Sequence, residues 1–156
     1  MFPNQCQERA GEDKKYMRIL VTGGAGFIGS NFIKYILSKY DYTIVNYDNL
    51  TYAGNLQNLR TIENNSNYHF VLGDIRNDPI LINTVCDYGV DTIVNFAAET
   101  HVDRSIDDPE VFVKSNVNGT YNLVSLFVED FGIQKYIQIS TDEVYGDILN
   151  GRSDEN

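Results

Sequence analysis

Residues 22–29 read Thr-Gly-Gly-Ala-Gly-Phe-Ile-Gly, so glycines fall at positions 23, 26 and 29 directly behind an apolar run. A glycine turn between a strand and a helix leaves backbone N–H groups and a helix N-terminus facing outward, an arrangement suited to phosphate. Gly23 permits the tight turn, Gly26 lets backbone approach a pyrophosphate, and Gly29 lets the helix pack closely on the sheet. Asp48 follows at about the 20-residue interval at which a carboxylate reaches a ribose. There it would accept hydrogen bonds from the hydroxyls and repel a 2′-phosphate, so the expected ligand is an adenine dinucleotide, NAD rather than NADP.

Other polar residues carry weaker chemistry. Asp74, in Gly73-Asp74-Ile75, could accept from an adenine amino group or simply cap a loop; its type and spacing fit both. Asp142 and Glu143 are adjacent carboxyls whose pKa values mutual repulsion could drive apart, giving one acid and one base. The same pair is common on solvated loops. His101 reads as a hydrogen-bonded structural residue rather than a catalyst. No metal site is expected, because no His, Cys or carboxylate cluster has ligand spacing, and no Gly-x-Ser-x-Gly elbow marks a serine hydrolase.

These residues need strands to place them. Arg18-Ile19-Leu20-Val21-Thr22 is a short apolar strand, and further strands are expected over 42–48, 68–72, 92–97 and 136–140. Behind the glycine loop, Ile28, Phe32, Ile33, Ile36 and Leu37 recur at helical spacing, with Asn31, Lys34, Ser38 and Lys39 on the other side. A short helix over 79–86 is expected to take Asp78 as N-cap and to stop at Gly89. A longer helix over 111–131, interrupted at Asn118-Gly119, should stop at Gly132, with Gly119 allowing close packing on a neighbour. The irregular stretch 49–67 is a candidate ligand loop.

Strands alternating with helices imply a parallel sheet covered on both faces, an α/β Rossmann-type doubly wound fold with about five strands. Ligands of such sheets bind outside the carboxyl ends of the strands. Here those ends carry the glycine run, Asp48, Asp74, Ala97-Ala98-Glu99-Thr100 and Thr141-Asp142-Glu143, which converge on one rim.

Composition bounds the alternatives. A chain of 156 residues with 42% hydrophobic and 22% charged residues can build a single globular core. Twelve Lys and Arg against 22 Asp and Glu, a formal charge of -10, argue against nucleic acid or an anionic membrane as partner. Residues 1–16 lack periodicity and read as a flexible leader before a dinucleotide-binding domain over 17–156. Two cysteines, Cys6 and Cys86, form no disulfide framework, and neither a membrane span nor a signal peptide is visible, so a cytoplasmic setting is expected.

Residues 22–30, Asp48-Asn49-Leu50-Thr51-Tyr52-Ala53-Gly54-Asn55-Leu56, residues 95–106 and residues 140–146 together resemble the dTDP-glucose 4,6-dehydratases, within the extended short-chain dehydrogenases. The similarity runs from Met17 onward, and Phe-Ala-Ala-Glu-Thr-His-Val-Asp-Arg-Ser and Ser-Thr-Asp-Glu-Val-Tyr-Gly are more specific than the glycine loop. The resemblance implies tightly held NAD and conversion of a sugar nucleotide, dTDP-glucose foremost, to a 4-keto-6-deoxy product. It further implies Asp142 as the acid that protonates the departing hydroxyl, Glu143 as the base at C5, and Thr141 at the sugar 4-hydroxyl. By the same matching Phe27 and Ile28 lie along the pyrophosphate, and Asp48, Asn49, Leu50 and Thr51 surround the adenosine ribose. Asp74 and Ile75 meet the adenine, Phe96, Ala97, Ala98 and Glu99 line the cofactor, Ser115 lies near the ribose, and Thr100 reaches the sugar.

Members of that family oxidise C4 with a Tyr-x-x-x-Lys pair about thirty residues beyond the Asp-Glu, where lysine lowers the tyrosine pKa. That position falls past Asn156, so the expectation is an N-terminal portion, inactive alone, whose later strands and substrate domain are missing, with a homodimer in the full-length form. Tyr35 and Lys39 satisfy the Tyr-x-x-x-Lys spacing but are expected on the exposed side of the first helix. Two other readings stay open: a related epimerase or decarboxylase of sugar nucleotides, and a non-catalytic dinucleotide-binding module.

Overall fold

In β1 (Arg18–Thr22) Ile19 and Val21 alternate with Leu20, and all three are buried. A strand apolar on both faces needs a covering layer on each. The computed structural model, which describes residues 16–129, 131–147 and 151–152, supplies both. Strands β2 (Thr43–Asp48), β3 (Tyr68–Leu72), β4 (Thr92–Asn95) and β5 (Lys135–Gln138) join β1 in a parallel sheet of order β3-β2-β1-β4-β5. The chain therefore builds outward from β1 to β3 and then returns to lay β4 against the free side of β1. Connections leave in opposite directions at that point, which opens a crevice at the carboxyl ends of β1 and β4.

Helices α1 (Phe27–Lys39), α2 (Asp78–Tyr88), α3 (Val102–Asp107), α4 (Pro109–Phe112) and α5 (Thr120–Val128) fill the connections, with a π-helical segment, Val113–Gly119, between the last two. Ile33 and Ile36 of α1, with Leu59 of a 3-10 helix Leu56–Ile62, pack on Ile19, Val21, Ile44 and Val94. Leu81 and Val85 of α2 and Leu123 and Leu126 of α5 pack on Leu20, Val45, Tyr47 and Ile93. Burial of each such side chain contributes about 1.5–3 kcal/mol, so the two layers rather than the sheet ladder alone fix the strand ends.

Several expected boundaries move. The α2 helix begins at Asp78 rather than after it, with Asn77 as a cap that makes no side-chain bond. Its stop at Gly89 stands, in left-handed conformation at φ 58. The helix expected over 111–131 starts earlier, at Pro109, where Asp108 accepts from the Val111 N–H, and is broken by the π segment. Gly119 sits where a Cβ would lie 2.5 Å from Ile75 Cδ1, the close packing expected of it. Ile28, expected on the buried face of α1, is 62% exposed, because the first turn projects beyond the sheet and burial begins at Gly29 and Ser30.

Cys86 is disulfide-bonded, so the cysteine count no longer argues for a reducing compartment. The leader expected over 1–16 lies, apart from Tyr16, outside the described residues. Among the described residues no helix is long and apolar enough to cross a membrane, and no group of three His, Cys, Asp or Glu could hold a metal ion.

Candidate functional site

The glycine loop is shaped by contacts that leave no room for side chains. Gly23 adopts φ 67, its N–H donates to the Tyr47 carbonyl at 3.1 Å, and a Cβ there would lie 2.7 Å from the Ala97 nitrogen. Both the turn and the approach of β1 to the segment after β4 therefore require glycine. A Cβ on Gly29 would lie 2.5 Å from the Gly23 carbonyl oxygen, so this residue seats α1 on the loop. Gly29 is buried and serves packing rather than the ligand surface. Gly26 meets only that oxygen, at 3.2 Å, and lines an open cleft.

Asp48, 7% exposed, closes the base of that cleft. Its Oδ2 accepts from the Ala25 N–H and its Oδ1 from the Leu50 N–H, both at 2.8 Å. The Ala25 carbonyl in turn accepts from the Asn55 N–H and from Asn58 Nδ2, each at 3.0 Å. The glycine loop is thus fastened on both sides to the segment after β2. Leu50 holds φ 50, a left-handed conformation costly for a branched residue, at the same corner.

Asp74 is held by Arg76, whose N–H, Nε and Nη2 all donate to its carboxylate, and by Asn49 Nδ2 at 2.9 Å. Burial pushes this carboxyl up, but the Arg76 side-chain and backbone hydrogen bonds and the guanidinium charge outweigh it, leaving Asp74 below the usual carboxylate value. The same side-chain bond raises Arg76, opposed by burial and aided by the charges of Asp74 and Glu99. Tyr47 donates to the Asp74 carbonyl at 3.1 Å; burial and, after it, the Asp74 charge push the phenol up to about 12.

On the β4 side, buried Asn95 links three strands, accepting from Thr22 Oγ1 and donating through Nδ2 to Gln138 Oε1 at 2.9 Å. The loop that follows is pinned by the π segment: the Glu99 N–H donates to Asn116 Oδ1 and Asn116 Nδ2 donates to the Glu99 carbonyl, both at 2.8 Å. A wide π turn is a recurrent way of placing a side chain at a site, and here it brings Asn116 onto the backbone of Glu99 and Ser115 to the cleft wall. Farther out, the Arg104 guanidinium lies 3.9 Å above the Tyr52 ring, joining α3 to the loop after β2.

The cleft encloses about 280 Å³. Its wall includes Gly23, Gly26, Asp48, Asn49 and Thr51 from the β1 and β2 ends, Asp74 and Ile75 after β3, Phe96, Ala97, Ala98 and Glu99 after β4, and Ser115 from the π segment. Of the expected residues, Phe27, Ile28, Gly29, Leu50, Thr100 and Thr141 do not line it: the first two are exposed on the first turn of α1, Gly29 is buried beneath that turn, and Thr100 and Thr141 are exposed. The side chains of Asp142 and Glu143 lie outside the described residues; their backbone forms a 3-10 turn, Asp142–Tyr145, after β5. Tyr47, Ala53, Gly54, Gly73, Arg76 and Val111 also line the cleft. Sequence reasoning missed them, although Ala53 and Gly54 lie inside the stretch it marked as a ligand loop. Tyr35 is 56% exposed and Lys39 is exposed, as expected.

Residues 20–156 match the family model described as GDP-mannose 4,6 dehydratase. The chain belongs to this family. It is 51% identical to a low-salt glycan biosynthesis protein of Haloferax volcanii, over 89% of this chain and 44% of that protein. It is 44% identical to the dTDP-glucose 4,6-dehydratase of Escherichia coli, over 85% of this chain and 39% of that enzyme. The crystal structure of dTDP-glucose 4,6-dehydratase from Bacillus anthracis, solved in complex with NAD, superposes with a TM-score of 0.78 at 48% identity, covering 89% of this chain and 42% of that one. The chain spans about two-fifths of the length of the curated relatives it matches.

Membership in the family can be tested against the cleft itself. Among its described lining residues Arg76 is the one cation, against Asp48, Asp74 and Glu99. The Gly23 and Gly26 N–H groups are taken by the Tyr47 and Gly23 carbonyls, so an anionic pyrophosphate would have to be met by the N–H groups of the N-terminal turn of α1, beside which the two glycines place no side chain. Each oxygen of Asp48 takes one backbone bond and keeps acceptor capacity that a hydroxyl in the cleft could use. The residues present fit an adenine dinucleotide without a 2′-phosphate.

Proposed function

We propose that this chain is the NAD-binding part of a sugar-nucleotide 4,6-dehydratase that acts on dTDP-glucose. The observation that carries the reading is the joining of the glycine loop, Asp48 and Asp74 in one cleft of a chain from this dehydratase family. Asp48 accepts from the adenosine ribose, the first turn of α1 faces the pyrophosphate, and Phe96 to Glu99 form the opposite wall. Thr100 and Thr141 bind the sugar, Asp142 protonates the hydroxyl leaving C6, and Glu143 removes the proton at C5. NAD, when bound, supplies the site that takes hydride from the sugar and returns it. Thr141 followed by Asp-Glu supports elimination of water over the epimerase and decarboxylase readings.

Exposed Val113, Val117, Tyr121 and Val128 run along the π segment and α5 and support pairing of two copies through this helix. Calorimetric titration tests the cofactor: saturable NAD binding, at least about tenfold tighter than NADP, is expected from the carboxylate at Asp48. Equal affinity for the two contradicts the assignment. The activity is tested on the polypeptide at the relatives' full length by mass spectrometry of dTDP-glucose, where loss of one water is expected. Glu143→Gln should abolish that loss while leaving NAD binding intact.

A further inference from the structure

The stretch 49–67 holds a residue whose place in the site is set by tertiary structure alone. Asn58, on the 3-10 helix Leu56–Ile62, donates through Nδ2 to the Ala25 carbonyl at 3.0 Å, beside the Asn55 N–H at the same distance. On the other side of the same residue the Ala25 N–H donates to Asp48 Oδ2. Ala25 is fully buried at the bend of the glycine loop, one residue before the cap of α1. Both peptide groups flanking its Cα are therefore fixed from β2 and the segment after it. The orientation of the next peptides, including the first N–H groups of α1, follows from that fixation. Nothing in the side chain of Asn58 reaches the cleft, so its effect must pass through the loop.

We propose that Asn58 is a positioning residue for the pyrophosphate: by holding the Ala25 carbonyl it sets the peptide that leads into Gly26, the cap of α1 that lines the cleft. This rests on the dinucleotide reading, and its consequence is selective. Loss of the side-chain donor loosens the loop that meets phosphate, while the adenosine contacts at Asp48 and Asp74 stay in place. A residue that merely stabilised the fold would weaken every ligand alike.

The test compares Kd values of NAD, ADP and adenosine for the unsubstituted chain and for Asn58→Ala and Asn58→Leu, the second keeping bulk without a donor. Expected is a loss of about three- to tenfold for NAD and ADP in both variants, the effect of one hydrogen bond, with adenosine unchanged. Unchanged NAD affinity in folded variants overturns the proposal, and so does a proportional loss for adenosine. Failure of the unsubstituted chain to bind NAD or ADP overturns the dinucleotide reading itself, a result visible before any variant is compared. A second measurement needs no substitution: exchange of the Asn58 side-chain amide protons should slow when ADP is added and not when adenosine is. Equal effects of the two ligands overturn the assignment.

Discussion

Asp48 has both carboxylate oxygens committed to backbone N–H groups before a ribose is considered, which makes it a structural residue as much as a ligand-binding one. Asp48→Asn replaces one acceptor with a donor that faces either the Ala25 or the Leu50 N–H, leaving a backbone donor in the buried corner unpaired. The expected cost is about 1–3 kcal/mol, read as a lower midpoint in urea denaturation; an unchanged midpoint would refute the double role. Asp74 gives a pH-dependent counterpart. Its folded pKa lies below the ordinary 3.8 because the Arg76 hydrogen bonds and charge outweigh burial, so the unfolded chain takes up its proton first as pH falls. Its contribution to stability is therefore present above 3.8 and lost as pH drops through the depressed value. Carboxyl-carbon NMR should show Asp74 titrating below free aspartate and moving upward in Arg76→Ala.

At the scale of elements, the parts legible in the sequence were those decided by local chemistry. The bounds of β1 and β3 follow from apolar runs closed by polar or glycine residues, and the stop of α2 follows from Gly89, whose left-handed φ suits glycine. Ile28 misled because helical periodicity places it on the buried stripe, whereas burial depends on whether the sheet extends beneath that turn. The π segment was not legible, since its reason is a pair of hydrogen bonds between Asn116 and Glu99, 17 residues apart. Arg76 and Asn58 escaped for the same reason: neither belongs to a spacing motif, and each matters through one partner brought close by the fold. Gly119 was legible as a packing glycine but its partner was not. Gly119→Ala would set a methyl against Ile75, which also lines the cleft, so a loss of about 1–3 kcal/mol in thermal denaturation is expected. Weaker binding of adenosine should accompany it, whereas a fall in stability with unchanged adenosine affinity would mean that Ile75 relaxes away from the cleft.

The described residues form two apolar layers divided by one sheet, and the fold class was legible because strands alternate with helical segments along the chain, the pattern of a parallel sheet. The cleft is where the two layers meet outside the sheet: the glycine loop and the segment after β2 bring one wall, and α4, the π segment and the loops after β3 and β4 bring the other. A ligand seated there contacts the segments that follow four of the strands at once, so its binding should stabilise the molecule as a unit. Mass action sets the size, about 2.7 kcal/mol at a ligand concentration one hundred times Kd. For a domain of this length that corresponds to a rise in Tm of roughly 5–10 °C. The described wall is richest around Asp48, Asn49, Thr51, Asp74 and Ile75, the residues assigned to adenosine, so ADP-ribose should reproduce most of the shift and nicotinamide mononucleotide little of it. Scanning calorimetry with each ligand at the same multiple of NAD's Kd would decide the matter. Equal shifts from the two halves would mean that the nicotinamide side of the rim binds as firmly as the adenosine side, and the proposed division of the cleft would have to be abandoned.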